Sequence, residues 1–283
     1  MTWTVRDKLA LVTGATSGIG LQTSVELARH GARVVVVGRD PERTQAAVET
    51  VRARAGVEPT QLLCDFSRQA SIRALAKAYA DRFDRLDILV DNAGAVNLRR
   101  GLTEDGIETT FAVNHLGYFL LTNLLLDLIV ASTPARVVAV ASISHRSGTL
   151  DFDDLGFARG YSAMRAYGRS KLANVLFAAE LARRLAGTGV TVNSVHPGAI
   201  DTNIWSAAPA LLRPVIRLFM RREFISIEEG AGTVVQLAES PDLEGVTGCY
   251  FEKGRAVPPA PLAQDPAVAA RLWDVSAELC GLG

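Results

Sequence analysis

The chain has few cysteines, no excess of charge and no long apolar run. Its 283 residues include only Cys64, Cys249 and Cys280, which form neither a CxxC pair nor a metal-ligand spacing. The 30 basic residues balance the 30 acidic residues, so there is no general positive field for nucleic acid. We therefore expect no metal centre and no nucleic-acid partner. The odd number of cysteines, without a secretory signal, favours a reducing, cytoplasmic setting.

The apolar runs are too short for membrane segments. The most apolar stretch, residues 116–130, is interrupted by Asn123 and Asp127 and is shorter than the roughly 20 residues that a membrane span needs. The first apolar run, residues 8–13, is too short for the core of a signal peptide. We interpret residues 116–130 as a buried helix and expect no transmembrane segment.

Short runs rich in Val, Leu and Ile alternate with longer helical patterns along the chain. This alternation is typical of a parallel sheet covered by helices on both faces. The sequence predicts an α/β fold in which residues 1–283 form a single doubly wound, Rossmann-type domain with about seven parallel strands. The predicted strands are residues 9–12, 33–37, 61–64, 86–90, 136–141, 190–195 and 248–251.

Three segments fall outside this alternation. Ligands bind beyond the carboxyl ends of the strands in open α/β sheets. Residues 150–164 and 203–224 leave the predicted sheet at or near that edge, so we expect them to form walls of a substrate pocket. The third segment, the Pro-rich residues 257–266, leads to a predicted final helix at about 267–279.

The segment 203–224, the expected substrate lid, mixes apolar side chains with Arg213, Arg217, Arg221 and Arg222. The apolar side chains favour a lipophilic substrate. The mixture also suits peripheral contact with an anionic membrane surface. A mobile lid that simply packs on the body explains the pattern equally well, and the sequence leaves these interpretations open.

A glycine-rich loop follows the first predicted strand and opens a helical pattern. Residues 13–20 read TGATSGIG, which places the glycines in the spacing G-x-x-x-G-x-G. Glycines let the main chain approach a pyrophosphate closely, and a helix N-terminus offers free N–H groups. We therefore expect this loop to bind a dinucleotide, through Gly14, Thr16, Ser17, Gly18, Ile19 and Gly20.

The tip of the second predicted strand favours NADP over NAD, although NAD stays possible. An acidic residue at this tip would bind the ribose 2′-hydroxyl of NAD. The chain instead has Gly38 followed by Arg39, whose guanidinium can grip a 2′-phosphate. Asp40 either opposes this choice or caps the helix that begins at Pro41. Asp65, at the end of the third strand, either accepts a hydrogen bond from the adenine or caps the next helix.

The sequence YGRSK at residues 167–171 supplies a candidate acid. Tyr167 and Lys171 are four residues apart and share one face of a helix, where the ammonium is expected to lower the pKa of the phenol. Ser142, which ends the fifth predicted strand, lies 25 residues upstream. A nucleotide-binding loop combined with an activated tyrosine predicts a redox enzyme.

Together these motifs resemble the short-chain dehydrogenase/reductase superfamily over residues 8–251. The resemblance rests on TGATSGIG, Asp65, NAG at 92–94, Asn114, Ser142, YGRSK and Pro197-Gly198. Longer stretches, at residues 113–119, 135–138, 170–177, 196–198 and 271–276, are similar to the retinol dehydrogenase-like branch. No N-terminal apolar segment like that of the branch's membrane-anchored members precedes residue 8.

The resemblance implies a role for each matching position. It implies the catalytic set Ser142, Tyr167, Lys171 and Asn114, with Ser144 as a rival hydroxyl and Asn114 holding a water that relays protons. Tyr167 and Lys171 would also contact the cofactor. The other implied cofactor-binding residues are Asp65, Phe66, Asn92, Ala93, Gly94, Pro197, Gly198, Ile200 and Thr202.

Three departures from the family pattern matter. Asp91 stands where an Asn is usual, a change we expect to be mild because Asn92 follows. Ala141 replaces a common Ser, which leaves Ser142 as the candidate catalytic hydroxyl. The long gap between Ser142 and Tyr167 adds residues 150–164, which are expected to cover the surface used for assembly. We therefore expect a homodimer or a monomer.

The sequence predicts an NADP(H)-dependent oxidoreductase that interconverts a carbonyl and an alcohol on a lipophilic small molecule. An alternative is a dedicated ketoreductase of a specialised biosynthetic pathway. A remote alternative is a silent protein that senses NADP(H); the intact glycine loop and Tyr/Lys pair disfavour it.

Overall fold

A largely parallel sheet organises the chain in the computed structural model, which describes residues 2–198 and 225–282. Its strands are β1 Leu9–Thr13, β2 Arg33–Gly38, β3 Thr60–Leu63, β4 Ile88–Asp91, β5 Ala135–Val140, β6 Val190–His196, β7 Tyr250–Glu252 and β8 Arg255–Ala256. They lie in the order β3-β2-β1-β4-β5-β6-β7-β8. Strands β1 to β7 pair in parallel, and β8 pairs with β7 in the antiparallel direction.

The predicted α/β, doubly wound architecture is confirmed, with small differences at strand ends. Strand β7 begins at Tyr250 rather than at residue 248, because Gly248 adopts a left-handed conformation with φ +74° that an extended strand excludes. Strand β8 was not predicted. It is a pair of exposed residues after a turn at Gly254, too short to produce an alternating pattern.

Helices connect the strands and cover the sheet. They are α1 Gly18–Arg29, α2 Pro41–Ala55, α3 Gln69–Ala80, α4 Thr109–Phe111, α5 Gly117–Leu124, α6 Leu126–Ala131, α7 Ala163–Arg184, α8 Ile227–Glu239 and α9 Pro266–Leu279. The final helix α9 confirms the helix predicted at about 267–279. None of these described helices is long and apolar enough to cross a bilayer.

Both faces of the sheet are buried, which explains why its strands are continuously apolar rather than alternating. Leu11 and Leu89 belong to the larger core cluster, with residues of α3, α5, α7 and α9. The neighbouring residues Val12 and Val90 belong to the second cluster, with residues of α1, α2 and α8. Successive side chains of a strand point to opposite faces, so each strand contributes to both clusters.

The apolar stretch at 116–130 is helical and mostly buried, but it is broken. A π-helical turn at Ala112–Leu116 joins α4 to α5, and a further break at Leu125 separates α5 from α6. The side chain of Asn123 donates a hydrogen bond to the carbonyl oxygen of Phe119 at 2.7 Å, which satisfies it within the helix. The polar residues Asn123 and Asp127 therefore lie in two short helices rather than in one long apolar helix.

Candidate active site

One cavity of about 640 Å³ lies at the carboxyl ends of the strands, a size typical of small-molecule sites. It brings together nearly all the described residues that the sequence singled out. Ile200, Thr202 and the expected lid at 203–224 lie outside the described residues. The predicted residues that line the cavity are Gly14, Thr16, Ser17, Gly18, Ile19, Gly20, Arg39, Asp65, Phe66, Asn92, Ala93, Gly94, Ser142, Tyr167, Lys171, Pro197 and Gly198.

The glycine loop leaves main-chain groups open toward the cavity. Gly14 and Gly18 have positive φ angles of +62° and +55°, and a Cβ on Gly14 would lie 2.7 Å from Cα of Ala93. Ser17 is the N-cap residue of α1, but its side chain makes no capping hydrogen bond. The first turn of α1 therefore presents N–H groups to the cavity, and the arrangement fits the phosphates of a dinucleotide.

The residues that follow β4 hold the glycine loop in position through hydrogen bonds. Asn92 Nδ2 donates to the carbonyl oxygens of Thr13 at 2.8 Å and Gly14 at 3.3 Å. The N–H groups of Asn92 and Ala93 both donate to Oγ1 of Thr13, at 2.8 and 3.0 Å. Asn92-Ala93 is thus more than a plain turn, because it fixes the position of the glycine loop.

The tip of β2 has no room for an acidic side chain. A Cβ on Gly38 would collide with Thr16 and Thr44. Asp40 Oδ1 accepts the N–H of Arg43 at 2.9 Å, which confirms Asp40 as the cap of α2.

Arg39 and Arg43 are both exposed and line the same end of the cavity. Arg43 is a cavity residue that was not predicted, although its position four residues after Arg39 was a usable signal.

Asp65 does not cap a helix. Helix α3 begins after Arg68, and Asp65 Oδ1 instead accepts the N–H and the hydroxyl of Ser67, at 3.0 and 2.7 Å. This local turn holds the carboxylate at the cavity edge, beside Phe66. Of the two roles left open for Asp65, the capping role is wrong.

Ser142 and Tyr167 meet at the end of β5. The hydroxyl of Ser142 lies beside the phenol of Tyr167 and favours its ionised form. It also accepts the N–H of Ser144 at 3.2 Å and lies 3.3 Å from the Ser144 hydroxyl. Both serines line the cavity. Ser144 therefore lies next to the candidate catalytic pair, and Ser142 stays the candidate catalytic hydroxyl.

The lowered pKa that the sequence predicts for Tyr167 is not found in this arrangement of the protein. Burial raises the pKa of the Tyr167 phenol, and the nearby Ser142 hydroxyl opposes that rise only in part. Burial also lowers the pKa of the Lys171 ammonium to about 7. Its Nζ lies 5.8 Å from the centre of the Tyr167 ring and donates to the carbonyl oxygen of Val140 at 2.8 Å. Desolvation therefore sets the direction of both pKa shifts.

Comparisons with known proteins agree with this geometry. The short chain dehydrogenase family model matches residues 8–210. Human retinol dehydrogenase 14 is 43% identical over 294 residues, which cover 98% of this chain and 88% of that protein. The chain belongs to the short-chain dehydrogenase family. It is accordingly an oxidoreductase of CH–OH and C=O groups that uses NAD(P), of the retinol dehydrogenase-like branch.

Solved structures of similar proteins share the fold of this short-chain dehydrogenase. An uncharacterized protein from Mycobacterium Paratuberculosis superposes with a TM-score of 0.81 at 32% identity, covering 99% of this chain and 96% of that one. Pseudomonas aeruginosa RhlG, solved as an NADP active-site complex, superposes with a TM-score of 0.71 at 28% identity, covering 88% of this chain and 95% of that one.

Asn114 of this short-chain dehydrogenase lies behind the cavity wall. It sits in the π-helical turn, and its Oδ1 accepts the N–H of Ala95 at 2.8 Å. Its Nδ2 donates to the carbonyl oxygen of Ala95 at 2.9 Å and to the hydroxyl of Ser170 at 3.0 Å. Both N–H groups of the amide are thus engaged, so a water bound to this side chain would be held by the remaining lone pair of Oδ1.

Two histidines of this short-chain dehydrogenase lie at the cavity or contact a residue that lines it. His196 lines the cavity, and burial lowers its pKa to about 4. His145 is buried and shares a hydrogen bond of 2.8 Å with the carbonyl oxygen of Ser142, while its Nε2 accepts the N–H of Ala260 at 3.0 Å. His145 therefore ties Ser142 to the C-terminal segment, a link that the sequence did not reveal.

The segment 150–164 is not a cavity wall. Among the described residues that line the cavity, none comes from this segment. The wall on that side is formed by residues 94–97, which follow β4, and by residues 141–144. The segment packs outside the wall instead. The sequence correctly placed it near the site, but spacing alone cannot show which of two adjacent loops faces the ligand.

Proposed function

We propose that this short-chain dehydrogenase is an NADP(H)-dependent enzyme that interconverts a carbonyl and an alcohol on a lipophilic small molecule. The observation that carries the proposal is the single cavity that holds Arg39 at one end and Ser142, Tyr167 and Lys171 at the other. When bound, NADPH supplies a hydride to the carbonyl carbon. The chain supplies binding, orientation and the proton.

Three features of the chain support the preference for NADP. Gly38 leaves no space for a carboxylate at the tip of β2, and Asp40 is engaged in capping α2. Arg39 and Arg43 would both face a 2′-phosphate. Two guanidinium groups favour that dianion over a ribose hydroxyl.

The remaining cofactor contacts follow the cavity lining. The first turn of α1, with Ser17, Gly18 and Ile19, would hold the pyrophosphate. Asp65 and Phe66 would border the adenine. Asn92 holds the glycine loop in position between the pyrophosphate and adenine sites. We propose that Pro197, Gly198, Ile200 and Thr202 hold the nicotinamide end.

Catalysis requires one proton on the carbonyl oxygen. Ser142 would donate a hydrogen bond to that oxygen and hold it against Tyr167, whose phenol would give up its proton as the C–H bond forms. Lys171 would bind the ribose hydroxyls and, when protonated, stabilise the phenolate left behind. The lone pair of Asn114 Oδ1 would hold a water that returns a proton.

Apolar side chains at the mouth support a lipophilic substrate. Ile143 lines the cavity and is 43% exposed, and Val96 and Val113 line it as well. Human retinol dehydrogenase 14 carries the name of a retinoid enzyme. We therefore choose all-trans-retinal as the first bulky substrate to test.

The test is cofactor oxidation by the purified protein with retinal, with NADPH and NADH in parallel. We expect faster turnover with NADPH. In the variant R39A, the KM for NADPH should rise about 10-fold or more, since a hydrogen bond to a charged group contributes about 1.5–3 kcal/mol. R54A is the matched control, because Arg54 is an exposed residue of α2 that does not line the cavity.

Equal turnover with NADH, or an unchanged KM for NADPH in R39A, would contradict the NADP preference. Turnover of ketones but not of retinal would favour the dedicated ketoreductase. NADPH binding without turnover of any carbonyl would favour the sensing protein.

A further inference from the structure

Arg169 is a buried cation in the catalytic turn that no step of the proposed mechanism uses. It lies between Tyr167 and Lys171 on α7, and only 3% of its surface is exposed. Its Nε donates to the carbonyl oxygen of Thr149 at 2.8 Å, and its Nη1 donates to those of Leu155, at 2.9 Å, and Asp154. A buried guanidinium must find such partners to offset its desolvation. All three of these partners are main-chain atoms of one segment.

That segment, residues 149–161, is here called the strap. Phe157 stands at its bend with φ +48°, a left-handed conformation that is unusual for a bulky residue. The guanidinium of Arg169 stacks 3.6 Å from the centre of the Phe157 ring. The carboxylate of Asp154 accepts the N–H of Ala158 at 2.6 Å. Arg169 therefore fixes both the path and the bend of the strap.

The strap is joined to the cavity wall at Asn97 and to the loop after this wall at Arg100. The phenol of Tyr161 donates to the carbonyl oxygen of Asn97 at 2.7 Å, and Arg100 Nε donates to the carbonyl oxygen of Gly156 at 2.9 Å. Asn97 lines the cavity, and its side chain donates to the hydroxyl of Thr110 at 3.1 Å. Residues 95–97 line the same cavity as Ser142, so a displacement of the strap moves a surface that the substrate would touch.

We infer that Arg169 is a positioning residue that sets the selectivity of the enzyme for bulky lipophilic carbonyl compounds, by holding the strap against the wall at Asn97. The inference rests on the proposed function for its substrate class. A bulky substrate needs the wall in one position, whereas a short aldehyde reaches Ser142 and Tyr167 without contacting it. Among the described residues Arg169 does not line the cavity, so it reaches the substrate only through the strap and the wall.

The test compares R169M with R165M. Arg165 lies one turn earlier on the same helix and is exposed, and its guanidinium is 5.1 Å from the Phe157 ring, so it controls for the loss of a cation near the strap. With NADPH, we expect R169M to lower kcat/KM for all-trans-retinal about 10-fold, mainly through KM, because a misplaced wall weakens binding. Values for butanal and the KM for NADPH should stay within about 2-fold. R165M should leave all of them unchanged.

A second variant tests the link to the wall without burying a new group. Y161F keeps the ring and removes only the hydrogen bond to Asn97. It should lower kcat/KM for retinal about 3-fold, in the same direction as R169M. The double variant should fall by less than the product of the single effects, because both act on one link. An equal loss for retinal and butanal in R169M would overturn the inference, since Arg169 would then act on the catalytic turn.

Hydrogen exchange separates this inference from the proposed function. If the wild-type protein turns over no carbonyl compound, the proposed function fails, but the strap can still be examined. In R169M, the amide of Ala95, which donates to Asn114 Oδ1, and the amide of Ala158 should exchange faster than in R165M. Unchanged exchange at Ala95 would show that the strap does not hold the wall, and the inference would be wrong.

Discussion

The ammonium of Lys171 donates a hydrogen bond to the carbonyl oxygen of Val140, 2.8 Å away, where helix α7 crosses the end of strand β5. This bond fixes the amine directly behind Ser142 and Tyr167. No carboxylate pairs with it among the described residues, and burial lowers the pKa of Lys171 to about 7. The amine is thus poised between its charged and neutral forms at neutral pH.

The first prediction concerns the variant K171M. Without the amine, the phenolate of Tyr167 loses its nearest cation, and kcat should fall at least about 100-fold. The KM for NADPH should also rise, because the ribose would lose a hydrogen-bond donor. Steady-state kinetics with retinal measures both values. A kcat near that of the wild type would remove Lys171 from the mechanism.

The substitution K171M should also change the way in which the free energy of unfolding depends on pH. The pKa of Lys171 lies near 7 in the folded protein against 10.5 as its ordinary value, so between these pH values the unfolded chain binds more protons. The wild-type contribution of this residue to the free energy of unfolding therefore increases as pH rises from 7 to 10. The free energy of unfolding of the wild type, relative to that of K171M, should therefore be higher at pH 9 than at pH 7. Urea denaturation at the two pH values measures this difference.

The two buried aspartates at the ends of β4 predict opposite pH effects. Asp91 accepts one hydrogen bond, from Thr122 at 2.9 Å, and burial raises its pKa to about 8. Burial alone would raise the pKa of Asp87 too, but hydrogen bonds from Arg85, Lys8 and the N–H of Leu9 lower it overall. Asp91 is therefore a neutral acid in the folded protein at pH 6, whereas Asp87 is ionised.

D91N should accordingly stabilise the protein more as pH rises. Between the ordinary pKa of 3.8 and the raised value near 8, the folded wild type holds a proton that the unfolded chain releases. Its stability thus falls by up to about 1.4 kcal/mol per pH unit relative to D91N. D87N, the control, should be most harmful at neutral pH and less so as pH falls through the lowered pKa. Urea denaturation at pH 5 and pH 7 measures the D91N effect, and the D87N effect should be constant over this interval because both its ordinary pKa of 3.8 and its lowered pKa lie below it. A D91N effect independent of pH would contradict the account.

His145 and His115 form a matched pair for a test of positioning. Both are fully buried, and burial lowers the pKa of each. His145 contacts the carbonyl oxygen of Ser142, whereas His115 contacts Ser276 at 2.9 Å, away from the cavity. H145F and H115F should each lower the free energy of unfolding by about 1–3 kcal/mol. Only H145F should also lower kcat, by about 10-fold, since Ser142 loses its fixed position. Equal kcat values for the two folded variants would show that His145 does not position Ser142.

Local chemistry explains which parts of this molecule were predictable. The glycine loop, the strand runs and the YGRSK turn each depend on neighbours close in sequence, and their positions follow the strand ends of an open α/β sheet. Seven of the strands and the final helix were accordingly found. The short strand β8 was missed because two residues carry no periodicity.

Long-range packing explains the rest. The pKa of Tyr167 depends on burial by residues from several elements, and the contact of His145 with Ala260 spans 115 residues. The strap and the wall at residues 95–97 are adjacent only after folding. The single-domain assignment and the expected homodimer or monomer stay predictions, as does the cytoplasmic setting.

The central claim is that Tyr167 supplies the proton. Its most direct measurement is kcat of Y167F with retinal and NADPH, beside NADPH binding followed by cofactor fluorescence. We predict that kcat falls at least about 100-fold, because the ring stays in place but the proton is gone, while the Kd for NADPH changes by less than about 3-fold. Turnover near the wild-type rate would contradict the account.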